Sequence, residues 1–298
     1  MKILHIDKCP LCGNTRFEKM MTCTDHYATG EIFDVEQCMN CHFLFTRHAP
    51  TEAEIGRYYE SPDYISHSDT HKGLMNRIYH QVRRYMLGRK ARLIRRSSHL
   101  HTGNLLDIGT GTGYFSHFMA EKGWKVTAIE KSPQARRFAK THFDLDVQAP
   151  ETLASLETDS FDVITLWHVM EHLEHLNETW ETLNRILKER GILIIAVPNP
   201  NSFDAKKYKE MWAAYDTPRH LWHFTPSTMQ QFGAKHGFIL AEQHPMPFDA
   251  FYVSMLTEKY KKSRYPFLKG LITGIEAWFA SQARKERSSS IIYVFRKK

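Results

Sequence analysis

The sequence predicts an α/β fold in which a seven-stranded sheet, covered by helices, follows a small metal-stapled module. Three observations predict it. From residue 103 onward short apolar runs alternate with longer amphipathic segments, the pattern of parallel strands joined by crossover helices. The first of these runs, at 104–108, passes directly into a glycine-rich turn at Gly109, Gly111 and Gly113. All five cysteines lie within the first 41 of 298 residues, four of them in two CxxC pairs.

The composition is that of a globular chain, with 42% hydrophobic and 12% aromatic residues, enough for a proper apolar core. No apolar run of signal-peptide length opens the sequence, and no charge-free stretch reaches the ~20 residues that span a bilayer. A cytoplasmic location is expected. The net charge of +7 is uneven: residues 251–298 hold 11 Lys/Arg against 3 Asp/Glu, and segment 77–96 holds eight basic residues and no acidic one. Such clusters either meet the phosphates of RNA, anionic lipids or a nucleotide-linked substrate, or are solvated helix faces.

Taken in order, the first element is residues 1–48, read as a zinc ribbon. Cys9 and Cys12 pair with Cys38 and Cys41 across 25 intervening residues. Four thiolates suit the tetrahedral preference of zinc, and a segment of about 40 residues has too little core to fold without a staple. A disulfide framework belongs instead to short secreted chains. Cys23 has no role in this scheme. Residues 49–100 are read as a helical cap or linker, because Ile78, Val82, Tyr85 and Leu93 recur near 3.6-residue spacing with arginines opposite. Residues 101–298 then form the sheet domain, with strands expected at 104–108, 125–130, 145–148, 161–166, 192–197, 238–243 and 291–296. A helical insertion at 244–289 separates the last two.

The glycine turn lets backbone approach a ligand that a Cβ would push away, and the helix it opens offers free N–H groups. A dinucleotide fingerprint requires a third glycine at position 114, which is Tyr114 here, so a nicotinamide cofactor loses support. Glu130, at the end of the second strand, puts a carboxylate beside the turn where it can accept hydrogen bonds from both ribose hydroxyls. With Asp107 at the end of the first strand and the "LKERGILIIAVPN" segment at 187–199, the stretch 105–197 resembles the class I S-adenosylmethionine-dependent methyltransferases, which share a Rossmann-like sheet. The resemblance implies that S-adenosyl-L-methionine is the cofactor. It places Asp107, Gly109, Gly111 and Gly113 around the methionine moiety, Glu130 on the ribose, and Trp167 and His168 at the cofactor's edge. The usual adenine-contacting Asp is missing, leaving Gln148 or Glu151 for that place.

Two histidine-rich stretches carry the candidate chemistry. His168, Glu171, His172 and His175 could share one helix face just after the fourth strand. HxxEH formally matches an inverted zinc-peptidase helix, but its place in a cofactor domain argues against peptidase activity. The segment is also similar to the ExxEH stretch of ubiquinone-pathway and small-RNA O-methyltransferases, with His168 replacing the first Glu, which suggests a divalent-metal or substrate site. A third reading is general-base catalysis by His168 or His172, since an imidazole of pKa ~6.5 can take a hydroxyl proton. The second stretch, 212–224, resembles the "D-x-PRHL-x-HF" element of a methyltransferase-23-like subgroup that includes zinc-bearing sugar methyltransferases. There Asp216, Arg219, His220 and His223 would contact substrate or serve as structural hydrogen-bonding groups.

The motif of many amino-N-methylating enzymes is absent after strand 161–166. The leading expectation is therefore methylation of a hydroxyl or carbon on a small acceptor, sugar-derived by the resemblance and either nucleotide- or lipid-linked. RNA methylation, using the ribbon and the basic patches, is the alternative. A non-catalytic membrane-surface or scaffold role is a third, prompted by Phe267, Leu271, Ile275 and Phe279 at helical spacing beside lysines.

Overall fold

A computed structural model describes residues 2–59, 74–246 and 248–298, with side chains of 74–80 excepted. Eleven strands form two sheets among these residues. The larger sheet has the order β10-β11-β8-β7-β4-β5-β6, where β4 is Asn104–Ile108, β5 Lys125–Ile129, β6 Val147–Gln148, β7 Phe161–Trp167, β8 Leu187–Pro198, β10 Phe238–Pro245 and β11 Ser290–Lys297. The five strands from β8 to β6 are parallel, and β11 runs antiparallel to both β8 and β10. Leu105, Leu106, Val163, Ile164, Leu166 and the run Ile192 to Val197 are buried. Continuous apolar runs of this kind mark strands covered on both faces.

The seven strands stand where the sequence places them, with shifted ends. β6 has two residues rather than four, and β5 stops before Glu130, leaving that side chain at the strand's carboxyl edge. β8 begins five residues early at Leu187, next to a register shift between Phe161 and Val163.

The helices are α1 (Leu74–Ser98), α2 (Tyr114–Glu121), α3 (Pro133–Phe143), α4 (Leu176–Ile186), α5 (Phe203–Tyr208), α6 (Pro226–Lys235), α7 (Asp249–Tyr260) and α8 (Pro266–Ala283). Helix α1 corrects the expected apolar face. Val82 and Tyr85 are exposed, while Ala91 and Ile94 are buried against Leu105, Val163 and Ile192, so the C-terminal half of α1 is what seats on the sheet. Of the expected cap, Ile55–Tyr58 is a short 3-10 turn, and residues 60–73 lie outside the described residues.

The N-terminal module is a hairpin of β1 (Phe17–Thr24) and β2 (Ile32–Cys38) plus β3 (Leu44–Thr46). Its sheet is completed by β9 (Trp222–His223), in the order β1-β2-β3-β9. Phe43 packs on Trp222, Phe224 and Phe232 at ring distances of 5.9, 5.4 and 4.9 Å. The cysteine-bearing segment thus shares a sheet and a core with the chain that follows, and the boundary at residue 48 separates sequence pattern rather than packing.

Candidate active site

The three glycines of the turn all have positive φ, at 71°, 57° and 84°, but they do different work. A Cβ at Gly109 would lie 2.3 Å from Val169 Cγ2, and one at Gly113 would lie 2.9 Å from Ala139 Cβ. Both are too close for real atoms, so these two glycines serve internal packing. A Cβ at Gly111 would meet nothing within 4 Å, and it is on this side that the turn faces open space.

Glu130 is tied to this turn. Its Oε2 accepts from the Gly111 N–H and its Oε1 from the Ser132 N–H, each at 2.8 Å. Each carboxylate oxygen keeps a further lone pair. Asp107 is buried, accepting from Thr165 Oγ1 and Ser116 Oγ, both at 2.8 Å. Burial raises its carboxyl above the ordinary value despite those bonds, and it clamps β4, β7 and α2 together. The backbone carbonyl of Gln148 accepts from the Glu130 N–H at 3.0 Å. Gln148 Oε1 and Trp167 Nε1 are buried without a hydrogen-bond partner. Lys90 of α1 lies over the Trp167 ring at 4.1 Å, and burial brings its pKa down to about 8.

Beyond β7 the expected continuous helix is not formed. His168 adopts a left-handed conformation at φ 59°, residues Met170–His172 make one 3-10 turn, and His175 precedes α4 with its side chain largely exposed beside Glu178. The bend separates His175 from the others and removes the peptidase-like helix. His168 is held between two carboxylates, with Nδ1 3.4 Å from Glu171 and Nε2 3.1 Å from Asp249 of α7. Burial alone would lower its pKa, but the pairing with Asp249 and Glu171 overrides it and pushes it up to about 10. An imidazolium has no lone pair to receive a proton, so this geometry disfavours His168 as the base. Asp249 gives no sequence signal, because it lies 81 positions from His168 at the start of the insertion.

Glu171, His172 and His220 converge, each offering one ligand atom within 4.8 Å of the others. Glu171 is buried, and its carboxylate meets His168 Nδ1 at 3.4 Å. Burial would raise its carboxyl, but His168, His172 and His220 hold it below the usual range. His172 Nδ1 is 2.9 Å from the Arg219 carbonyl and 3.2 Å from Tyr59 Oη; His220 Nδ1 is 2.9 Å from the Ala214 carbonyl. Those contacts leave His172 Nε2 for another partner, while His220 Nε2 lies 3.8 Å from Asp216 Oδ2. Burial, reinforced by His220, pushes the His172 pKa down to about 4. The stretches 168–173 and 219–223, distinct in sequence, are laced together by Leu221 N–H to the Glu171 carbonyl at 2.8 Å and Trp222 Nε1–H to the Leu173 carbonyl at 2.6 Å.

The remaining members of the second stretch point to structural work. His223 bonds Thr46 Oγ1 through Nε2 at 3.1 Å within the β3–β9 ladder, and burial pushes its pKa down to about 3. Arg219 grips Asp216 through two bonds of 3.0 and 2.6 Å. It also donates to Asp25 at 3.1 Å and to the Tyr58 carbonyl at 2.6 Å, stitching the N-terminal module to the loop. Arg219 and Asp25 are both buried. Arg219→Ala is expected to cost about 3–5 kcal/mol, since removing one partner strands a buried charge. Arg219→Lys should recover only part, lacking the fork that reaches two acids at once. Urea unfolding midpoints measure both.

The histidines also set a pH profile. His172 and His223 stay neutral in the fold, so stability is lost as pH falls below about 6.5, where the unfolded chain takes up protons that the fold cannot. His168 acts oppositely: its contribution is complete below about 6.5 and is lost as pH rises towards about 10. A stability maximum near pH 6.5 is expected from these groups. His168→Gln should flatten the alkaline limb in denaturant titrations. A limb unchanged by that substitution would contradict the assignment.

In the N-terminal module Cys9 Sγ lies 3.5 Å from Cys41 Sγ, and Cys12 Sγ lies 3.5 Å from Cys38 Sγ. All four sulfurs fall within 4.8 Å of one another. Cys23 lies apart in the buried cluster with Tyr208 and Trp212.

A sheet of this order, opened by a glycine turn between β4 and α2 and an acid after β5, defines the class I S-adenosylmethionine-dependent methyltransferases. A sequence profile described as methyltransferase domain matches residues 78–243, more than half of the chain, and the chain belongs to that family. It is 32% identical over 129 residues to a ubiquinone biosynthesis O-methyltransferase of Xanthomonas oryzae pv. oryzae, covering 40% of this chain and 54% of the relative. With the enzyme of the same name from Idiomarina loihiensis it shares 28% over 138 residues, 42% of this chain and 57% of the relative. The chain thus spans about half the length of the curated relatives it matches. Its fold is like that of a putative sarcosine dimethylglycine methyltransferase from Galdieria sulphuraria, with a TM-score of 0.50 and 15% identity over 72% of this chain and 84% of that one.

Proposed function

We propose that this protein transfers a methyl group from S-adenosylmethionine to a hydroxyl of a small acceptor, at a centre formed by Glu171, His172 and His220. The observation that carries the reading is the buried, ionised Glu171 carboxylate, met by His168 Nδ1 at 3.4 Å and faced by two imidazoles whose Nδ1 atoms are already engaged. Glu171, His172 and His220 bring their ligand atoms within 4.8 Å of one another, and a mixed carboxylate and imidazole set fits a divalent ion such as manganese, zinc or iron. Bound there, the ion would acidify an acceptor hydroxyl and so supply the nucleophile. The chain's own residues do the rest. Gly111 leaves room for the nucleoside, Glu130 offers its spare lone pairs to the ribose, and Gln148 Oε1 is an open acceptor for an adenine amino group. Val169, packed on Gly109, joins the turn to Glu171 two residues later. Arg219 and Ala214 carbonyls fix the two imidazoles.

The relatives named O-methyltransferases support oxygen over carbon as the acceptor atom. The RNA reading draws less support, because Arg83 and Lys90 of the basic helix lie over the rings of Tyr114 and Trp167. The acceptor class expected from the resemblance, a nucleotide- or lipid-linked sugar, belongs to the same proposal. Incubation with methyl-labelled S-adenosylmethionine and a panel of hydroxylated sugars and phenols tests it. Oxygen-linked methyl in the product supports the reading, and label recovered only on nitrogen or in RNA contradicts it.

The four-cysteine cluster is proposed to hold structural zinc. Chelation is expected to release one zinc per chain and lower thermal stability, because metal affinity is folding energy in such modules. Metal analysis and scanning calorimetry measure this, and Cys38→Ser should reproduce it.

A further inference from the structure

Helix α8 is built inside out. The face it buries is lined with small residues, Gly270, Thr273, Gly274, Ala277 and Ser281. Its large apolar side chains, Phe267, Leu268, Ile272, Ile275, Trp278 and Phe279, are exposed, Phe267 and Phe279 to 63% and 61%. The small face is needed for close packing on α7: a Cβ at Gly270 would meet Met255 Cα at 2.5 Å, and one at Gly274 would meet Phe251 at 2.5 Å. A helix in water normally turns its bulky apolar residues inward, and exposed apolar patches of this kind mark interaction surfaces.

The charges around the patch indicate what it meets. Lys262, Arg264 and Lys269 stand at one end and Arg284, Lys285 and Arg287, with the single acid Glu286 among them, at the other. The helix's one acid, Glu276, is paired with Lys207. Pairing two copies about this face would bring basic rims together, a like-charge arrangement that disfavours a symmetric dimer. Aromatic and aliphatic side chains between basic flanks suit the headgroup boundary of an anionic bilayer. Among the described residues no helix is long and apolar enough to cross a membrane, so the contact would be interfacial.

We propose that the outer face of α8, with its basic ends, docks this protein on anionic phospholipid membranes. The inference is independent of the methyl-transfer reading, although α7, the partner of α8, carries the Asp249 that pairs with His168. The test is flotation of the full chain with vesicles of phosphatidylglycerol and phosphatidylcholine, or of phosphatidylcholine alone. Wild type is expected to float with the anionic vesicles, less so at high salt, and to remain behind with the neutral ones. The double variant Phe267→Glu, Phe279→Glu should lose at least about tenfold in partitioning while keeping the wild-type melting temperature, since both side chains are exposed. Wild type that stays off anionic vesicles at low salt, a double variant that floats equally well, or a solution dimer that these substitutions split would each overturn the proposal.

Discussion

Gly111→Arg is expected to abolish S-adenosylmethionine binding, by more than about a hundredfold, while the protein stays folded. The reason lies in the difference between the three glycines of the turn. A Cβ built on Gly111 meets nothing within 4 Å, so a long side chain fits the fold but fills the place where a nucleoside must lie. Its positive φ of 57° adds a strain of roughly 1–2 kcal/mol for a non-glycine residue. Gly109→Ala and Gly113→Ala should behave oppositely, losing stability because their methyl groups collide with Val169 and Ala139. Titration calorimetry and thermal melts on all three separate the effects. Wild-type cofactor affinity in Gly111→Arg would mean that the cofactor does not lie on this turn.

The second large effect is at Glu171. Glu171→Gln keeps shape and removes the charge that the three histidines surround. Methyl transfer is expected to fall at least about a hundredfold, equivalent to roughly 2.7 kcal/mol of barrier, and cofactor affinity to stay near wild type. Addition of excess divalent metal should restore part of the rate if the loss is one of metal affinity. A rate that survives the substitution would remove Glu171 from the reacting centre.

Much of the fold could be read from the sequence, for a physical reason. Parallel strands covered on both faces appear as unbroken apolar runs, so β4, β7 and β8 announced themselves, and the glycine turn fixed the order of the first strands. β6 is two residues shorter than the sequence suggests, because so short a strand carries almost no pattern. The site was readable in its parts and not in its assembly. Glu171 and His172 are neighbours in the sequence, but their junction with His220 depends on a loop that crosses from β8 to pair β9 with β3, a contact between residues about 180 apart in the chain. For Arg219 and His223 the sequence leaves substrate contact and structural bonding open, and the same long-range packing gives both residues bonds to the N-terminal module. Asp249 sits at the start of a helix in the insertion, 81 positions from the histidine it pairs with. Positions 168, 171, 172 and 175 have the spacing of one helix face, but His168 bends the chain at φ 59°, something that residue spacing alone does not register.

The central claim, a cation held by Glu171, His172 and His220 beside the cofactor turn, is tested most directly by electron paramagnetic resonance of Mn²⁺ added to metal-stripped protein. Manganese disfavours the soft cysteine site, so it reports on the carboxylate and imidazole set. One bound Mn²⁺ per chain, lost in Glu171→Gln and with a spectrum altered by S-adenosylhomocysteine, is the predicted result. No binding, binding unaffected by Glu171→Gln, or a spectrum indifferent to S-adenosylhomocysteine would contradict it.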